Sequence, residues 1–266
     1  MTSSAAALLA LHQGPGFVLP NAWDAGSARI LAGCGFPAIA TTSAGVAWSL
    51  GVPDGGLVPR EVMLDHVASI VDAVPVPVTA DLEDGYATSP SGVAATVSLA
   101  VDAGAVGANL EDIADGALFS VAEGAERIAA ARSAAPAGAF VINARTDTYF
   151  AGSFEDPFAE TIRRAHAYLE AGADCIFVPA VRDAATIERL AREIPAPLNI
   201  VAGLANTIPA PELFALGVKR VSLGGSIARA AFALLERAGH ELLATGTLGF
   251  LDGAISYPDL QDRMRS

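Results

Sequence analysis

At 266 residues the chain is long enough for one large domain, and with 52% hydrophobic and 17% charged residues it can bury an extensive core. A formal net charge of −13 excludes attraction to nucleic acid or to an anionic membrane surface. The two cysteines, Cys34 and Cys175, are too few for a disulfide framework or a thiolate metal site, and suit a reducing cytoplasm.

Met1 to Leu11 lacks the basic start that a secretory signal needs. The uncharged stretch from Ile30 to Pro53 is broken by Gly33, Gly35, Pro37 and Thr41-Thr42-Ser43, which predicts a buried strand with flanking loops and not a membrane span. A soluble, cytoplasmic protein is expected. Candidate strands then follow at regular spacing: FVLP from Phe17, AIATTS from Ala38, VPVTAD from Val76, VGANLE from Val106, FVINAR from Phe140, CIFVP from Cys175, LNIVAG from Leu198 and RVSLGG from Arg220. Their nearly continuous apolar character fits parallel strands covered on both faces. Pro59-Arg60-Glu61 and Ser89-Pro90-Ser91 open helices, while Gly104, Gly172 and Gly217 close them ahead of the next strand. Eight strand-plus-helix units in one chain predict an α/β (β/α)8 TIM barrel, residues 1–266 forming one domain with 246–266 as a C-terminal helical extension.

In such a barrel the chemistry sits at the C-terminal ends of the strands. Cys34 precedes the second strand, Cys175 begins the sixth, His12, His66, His166 and His240 fall in helical stretches, and Lys219 precedes the eighth strand. This placement disfavours thiol, Schiff-base and histidine–zinc chemistry. The carboxylates behave oppositely. Asp24 follows the first strand, Asp54 the second, Asp81, Glu83 and Asp84 the third, Glu111 and Asp112 the fourth, and Asp147 the fifth. So many negative charges at one rim call for a compensating cation or donors, and an all-oxygen set suits Mg²⁺ or Mn²⁺. Asp24, Asp84 and Asp112 are expected to cap the helices that follow them, with a place in the acidic site as the alternative. Arg145 offers a planar donor to a carboxylate or phosphonate, with an ion pair to Asp147 or Glu111 as its structural alternative.

Asn21-Ala22-Trp23-Asp24, Thr42-Ser43-Ala44-Gly45, Gly51-Val52-Pro53-Asp54, Asp81-Leu82-Glu83-Asp84-Gly85-Tyr86, Leu110-Glu111-Asp112 and Asn143-Ala144-Arg145-Thr146-Asp147 occur in that order. Together they resemble the isocitrate lyase/phosphoenolpyruvate mutase superfamily. The resemblance implies a Mg²⁺-dependent enzyme acting on a 2-oxo acid, with Asp81 on the metal and Asp54, Glu83 and Glu111 toward its waters. It also implies a substrate site that includes Trp23, Ser43, Ala44, Gly45, Asp81 and Arg145, with Arg145, Glu111 and Asp54 serving the chemistry. A homo-oligomer, a dimer or a tetramer with an exchanged C-terminal helix, is a further expectation. The chain departs from the lyases where their Cys-Gly-His loop would stand, reading Ile113-Ala114-Asp115-Gly116-Ala117-Leu118-Phe119-Ser120, and Pro179 replaces a histidine of the mutase.

The chemistry expected is cleavage of a C–C bond at C3 of a 2-oxo acid through a metal-stabilised enolate, as in an oxaloacetate-type decarboxylation, with Tyr86 or Tyr149 as a proton relay or equally as a wall residue. A C–P enzyme of the phosphonopyruvate or phosphoenolpyruvate type, a phosphate-binding barrel using Gly224-Gly225-Ser226, and a non-catalytic 2-oxo-acid-binding barrel remain open alternatives. The segment 113–124, with Gly116 and Gly124, is expected to act as a gate over the bound ligand, the alternative being a short, rigid connection to a helix over 122–131 capped by Ser120.

Overall fold

The computed structural model describes residues 4–151 and 154–265. The first three residues of the N-terminal run and the last residue of the C-terminal extension lie outside them.

Parallel strands form a ring. The first strand is split by Pro20, which has no N–H to give a ladder, into β1 (Phe17–Leu19) and β2 (Asn21–Ala22). Then come β3 (Ile39–Thr41), β4 (Val78–Asp81) and β5 (Gly107–Glu111). A short hairpin, β6 (Ile113–Ala114) and β7 (Ala117–Leu118), precedes β8 (Val141–Arg145), β9 (Cys175–Phe177), β10 (Leu198–Val201) and β11 (Arg220–Ser222). β1 pairs with β11 while β2 pairs with β3, so the ladder returns to its start and all eight expected strands stand in one barrel.

The helices on the outside start where local chemistry satisfies their free N–H groups. α2 (Ala25–Gly33) opens on a reciprocal capping box between Asp24 and Ser27, and α5 (Pro90–Asp102) opens on Ser89 with Pro90 in its first turn. Ser120 caps α6 (Val121–Ala134), Asp156 caps α7 (Pro157–Glu170) and Asp183 caps α8 (Ala184–Glu193). α3 (Ser43–Ser49), α4 (Arg60–Ala73) and α9 (Ala210–Ala215) complete the layer around the strands. α1 (Ser4–His12) lies at the N-terminal end of the barrel, where His12 is buried and meets Phe17 edge to face.

The main core lies between strands and helices and runs from Leu64 on α4 to Val221 on β11. Inside the ring the packing is unlike the branched aliphatic filling usual for this architecture. Asn143, Asn199 and Arg220 are fully buried there and Asn109 nearly so. α10 (Ser226–Thr245) is long but buries only Ala228, leaving Phe232, Leu235 and Leu243 exposed. α11 (Tyr257–Arg265) rests against α2. Among the described residues no helix is long and apolar enough to cross a membrane.

Candidate active site

A cavity of about 330 Å³ opens at the C-terminal ends of the strands. Asn21, Ser43, Asp54, Asp81, Asn109, Arg145 and Arg229 contribute its polar lining, with Ala44 beside Ser43, and Trp48, Phe150, Phe177, Pro179, Val201 and Leu204 its apolar walls. The barrel rule therefore gathers Asp54, Asp81 and Arg145 from three separate βα segments.

Asp81 ends β4, and its Oδ2 accepts from both the backbone N–H and the Oγ of Ser43, at 2.9 Å each. Asp54 stands at the mouth. Desolvation and then the charge of Asp81 raise its carboxyl above the usual range, while a hydrogen bond from Ser43 works the other way. Glu83 sits behind this pair with φ +47°, a left-handed conformation unfavourable for a side chain of its size. Two hydrogen bonds hold the strained turn: the Glu83 carbonyl accepts from Glu111 N–H at 2.9 Å, and Gly85 N–H reaches Leu82 O at 2.7 Å. Desolvation, together with the charges of Asp81, Asp54 and Asp84, pushes the Glu83 carboxyl up to about 7, although Tyr86 O–H donates to it at 2.8 Å.

Arg145 pairs with both candidate partners at once. Its Nη1 lies 2.6 Å from Glu111 Oε2, and its Nε and Nη2 donate to Asp147 Oδ1 at 3.1 and 2.7 Å. Three of five guanidinium N–H groups are thereby used, leaving one free on each terminal nitrogen. Burial opposes the charge on Arg145, but Asp147 and Glu111 hold it firmly protonated. Glu111 is raised well above the carboxylate range by desolvation, against the pull of Arg145. It borders a water-sized void beside the main cavity and does not line the cavity itself.

Several expectations change. Asp24 does cap α2, but Asp84 and Asp112 are not helix caps. Asp84 Oδ1 closes a turn by accepting from Tyr86 N–H, and the following helix is capped by Ser89. Asp112 is buried: its Oδ1 accepts from Asp147 N–H, and its Oδ2 accepts from Arg164 Nη1 at 2.9 Å and Tyr168 O–H at 2.7 Å. This network joins the ends of β5 and β8, and nothing in the local sequence pairs Asp112 with Arg164. Trp23 does not line the cavity. It packs against the cluster of Val46, Ala47, Val58 and Met63, so Trp48 is the indole in the wall. Gly45 is demanded by packing, since a Cβ there would lie 2.6 Å from Thr42 Cγ2 and 2.9 Å from Trp23 Cβ. Its N–H is taken by Thr42 Oγ1, which leaves Ala44 at the cavity lining beside Ser43. Tyr86 and Tyr149 do not line the cavity either, which weakens both as proton relays.

The segment after Glu111 is a tight hairpin and not an open gate. Asp115 and Gly116 both take positive φ, +50° and +76°, the conformation that an Asp-Gly turn between two paired strands requires. Phe119 then anchors it: its N–H donates to Asp112 O, its carbonyl accepts from Arg164, and its ring lies under the Arg127 guanidinium. Gly124, expected in the gate, lies inside α6 against Tyr168.

Among the described residues no three His, Cys, Asp or Glu side chains converge on one point as a closed metal shell. The donor chemistry nonetheless fits a hard divalent cation. Among the described residues Asp81 Oδ1 accepts no hydrogen bond, Glu83 and Glu111 crowd behind it, and Arg145 is already paired to Glu111 and Asp147, Arg229 being the other cation in the lining. A site of one direct carboxylate plus waters is how Mg²⁺ is commonly held.

A parallel barrel with carboxylates and an arginine converging at its C-terminal rim has the layout of a barrel enzyme's active site. The family model for phosphoenolpyruvate phosphomutase matches residues 8–243. The chain belongs to that family and so to the isocitrate lyase/phosphoenolpyruvate mutase superfamily. An uncharacterised Mycobacterium tuberculosis protein is 37% identical over 95% of this chain and 93% of its own length. Oxaloacetate decarboxylase of Bradyrhizobium diazoefficiens is 30% identical, covering 89% of this chain and 82% of its own. Among solved structures, a Burkholderia cenocepacia protein provisionally classed as a lyase/mutase superposes with a TM-score of 0.94 at 44% identity, covering 100% of this chain and 97% of the other. Oxaloacetate acetylhydrolase with its product oxalate gives a TM-score of 0.89 at 28% identity, covering 99% and 94%. Phosphonopyruvate hydrolase in complex with oxalate and Mg²⁺ gives 0.88 at 26%, covering 99% and 97%.

Proposed function

We propose that this protein is a divalent-metal-dependent enzyme that cleaves the C–C bond at C3 of a short 2-oxo dicarboxylate of the oxaloacetate class. The observation that carries the reading is Arg145, held by Glu111 and Asp147 with two N–H groups still free at a cavity that Asp81 and Asp54 also enter. Relatives that act on oxaloacetate or bind oxalate support the substrate class. Mg²⁺ held by Asp81, with Asp54 toward its waters and Glu83 and Glu111 behind them outside the cavity lining, would supply Lewis-acid stabilisation of negative charge on the substrate oxygens.

The chain's own residues do the rest. Ser43 and Ala44 line the cavity next to Asp81, where the C1 carboxylate binds. When the C3–C4 bond breaks, carbon dioxide leaves from C4 and the electron pair moves into the C2–C3 bond. The charge that gathers on the C2 oxygen meets the free Arg145 donors, which are already oriented by two carboxylates. A proton from water then completes pyruvate at C3. The buried Phe177 and the neighbouring Pro179 form an apolar wall beside this charge, which strengthens its interaction with Arg145. The unburied apolar face of α10, with Phe232, Leu235 and Leu243, supports a homo-oligomer in which a second copy covers it.

Purified protein with Mg²⁺ is incubated with oxaloacetate and, separately, with phosphonopyruvate, and pyruvate and oxalate are followed against a protein-free Mg²⁺ control. Pyruvate formed from oxaloacetate above the control, and abolished by EDTA, is the expected result. Turnover of phosphonopyruvate alone would replace C–C with C–P cleavage, and binding without turnover would leave a 2-oxo-acid-binding barrel.

A further inference from the structure

Beneath the acidic rim, the barrel interior holds an amide cluster around a single buried cation. Asn109 Oδ1 accepts from Asn143 Nδ2 at 2.7 Å and from Arg220 Nη2 at 3.0 Å. A guanidinium only donates, so the atom facing Arg220 is the oxygen and the orientation of the Asn109 amide is fixed by chemistry. Its Nδ2 therefore points away from Arg220. Among the described residues it has no hydrogen-bond partner, although Asn109 is only 6% exposed and that remaining surface lines the cavity. Asn109 is in register with Asp81 on the neighbouring strand and lies two residues before Glu111 on the same face of β5.

Arg220 is fully buried, and among the described residues no carboxylate pairs with it and its Nε and Nη1 have no hydrogen-bond partner. Its surroundings supply no anion. Burial pushes the Cys175 thiol up to about 12, and burial with the charge of Arg220 holds His12 down at about 4, so both stay neutral. Burial lowers Arg220 itself only to about 10, and it remains charged at neutral pH. An unpaired charge in the interior is costly and calls for a compensating partner. The carboxylate whose charge acts on it is Asp81, which lines the cavity.

We propose that Asn109 is a substrate-binding residue, donating from the cavity floor to an oxygen of a planar, oxalate-like dianion, and that Arg220 is its positioning residue. Arg220 fixes the amide and gives the floor a positive potential, while Asn109 delivers a donor whose strength does not change with pH. The inference rests on reading the cavity as a 2-oxo-acid site.

Calorimetric titration of Mg²⁺-loaded protein with oxalate tests both halves. Asn109→Leu is expected to weaken oxalate about 10- to 100-fold, as the loss of one buried donor to a charged group does, together with a fall in Tm because Asn143 and Arg220 lose their shared acceptor. Arg220→Met is expected to weaken oxalate similarly while Tm holds or rises, because an uncompensated buried charge is removed. Arg220→Lys, which keeps charge and donor, is expected to recover part of the affinity. Unchanged oxalate affinity in Asn109→Leu overturns the proposal, and so does a fall in Tm without any loss of affinity in either variant. If Arg220→Met does not fold, Asn109→Leu decides alone. Wild-type protein that binds no oxalate overturns the underlying site reading and this inference with it, whereas normal wild-type binding with indifferent variants overturns the inference only.

Discussion

Glu111 and Arg145 face each other across paired positions on β5 and β8, with Nη1 of the arginine 2.6 Å from Oε2 of the glutamate. The ladder register, and not a flexible contact, sets this pair, and Asp147 takes the other edge of the guanidinium. Lysine cannot span two carboxylates in this way and still present free N–H groups to the cavity. Arg145→Lys is therefore expected to lower kcat/KM by about 10²–10³ with the fold retained, the range for losing one preorganised donor. Steady-state kinetics beside a circular dichroism spectrum check this; undiminished kcat/KM would remove Arg145 from the chemistry.

Asp81→Asn keeps an acceptor for Ser43 while removing the charge a cation needs. Wild-type protein with Mg²⁺ at 100 times its Kd gains about 2.7 kcal/mol by mass action. At about 2–4 °C per kcal/mol this is on the order of 5–10 °C in Tm. The variant is expected to lose that Mg²⁺-dependent gain and to melt no lower than wild type in EDTA. Thiol reagents are expected to leave activity intact, since Cys175 is buried and Cys34 lies at the end of α2, away from the cavity lining. A full Mg²⁺ response in the variant would mean a different ligand.

Glu83 makes the metal-free protein sensitive to pH. Its folded carboxyl binds a proton more tightly than an unfolded one, at about 7 against 4.5. Its contribution to stability is thus fully present below pH 4.5 and is lost as pH rises through 7. Tm in EDTA is expected to fall across that window, and Glu83→Gln to flatten the fall by a few degrees. Asp54, Glu111 and Asp147 are raised too, and add in the same direction. A Glu83→Gln curve parallel to wild type would show that this carboxyl does not titrate there.

Arg164 is a matter of stability. It reaches from α7 to Asp112, Glu160 and the Phe119 carbonyl, and both it and Asp112 are buried. Arg164→Met leaves Asp112 with a hydroxyl and a backbone donor but no counter-charge, which is expected to cost about 3–5 kcal/mol in denaturant unfolding. A loss below about 1 kcal/mol would mean that Tyr168 and Asp147 N–H suffice.

The strands, their order and the rim carboxylates were legible in the chain. Apolar runs such as VINAR and LNIV must be covered on both faces, and a side chain that follows such a run in a parallel barrel has to emerge at the C-terminal end. Asp54, Asp81 and Arg145 could be placed by that rule alone. It could not say which rim carboxylates enter the cavity, because Glu83 is turned back by a left-handed residue and Glu111 is drawn aside by Arg145. Nor could local pattern pair Asp112 with Arg164, 52 residues apart, or fold 113–118 into a pinned hairpin. The buried polar interior was also out of reach. Asn109, Asn143, Asn199 and Arg220 sit in runs that read as ordinary strands, and only closure of the ring brings four such side chains together. Periodicity along a chain fixes which elements form and which end of each carries chemistry. Contacts across the barrel depend on register and radius, which exist only once all eight strands are in place.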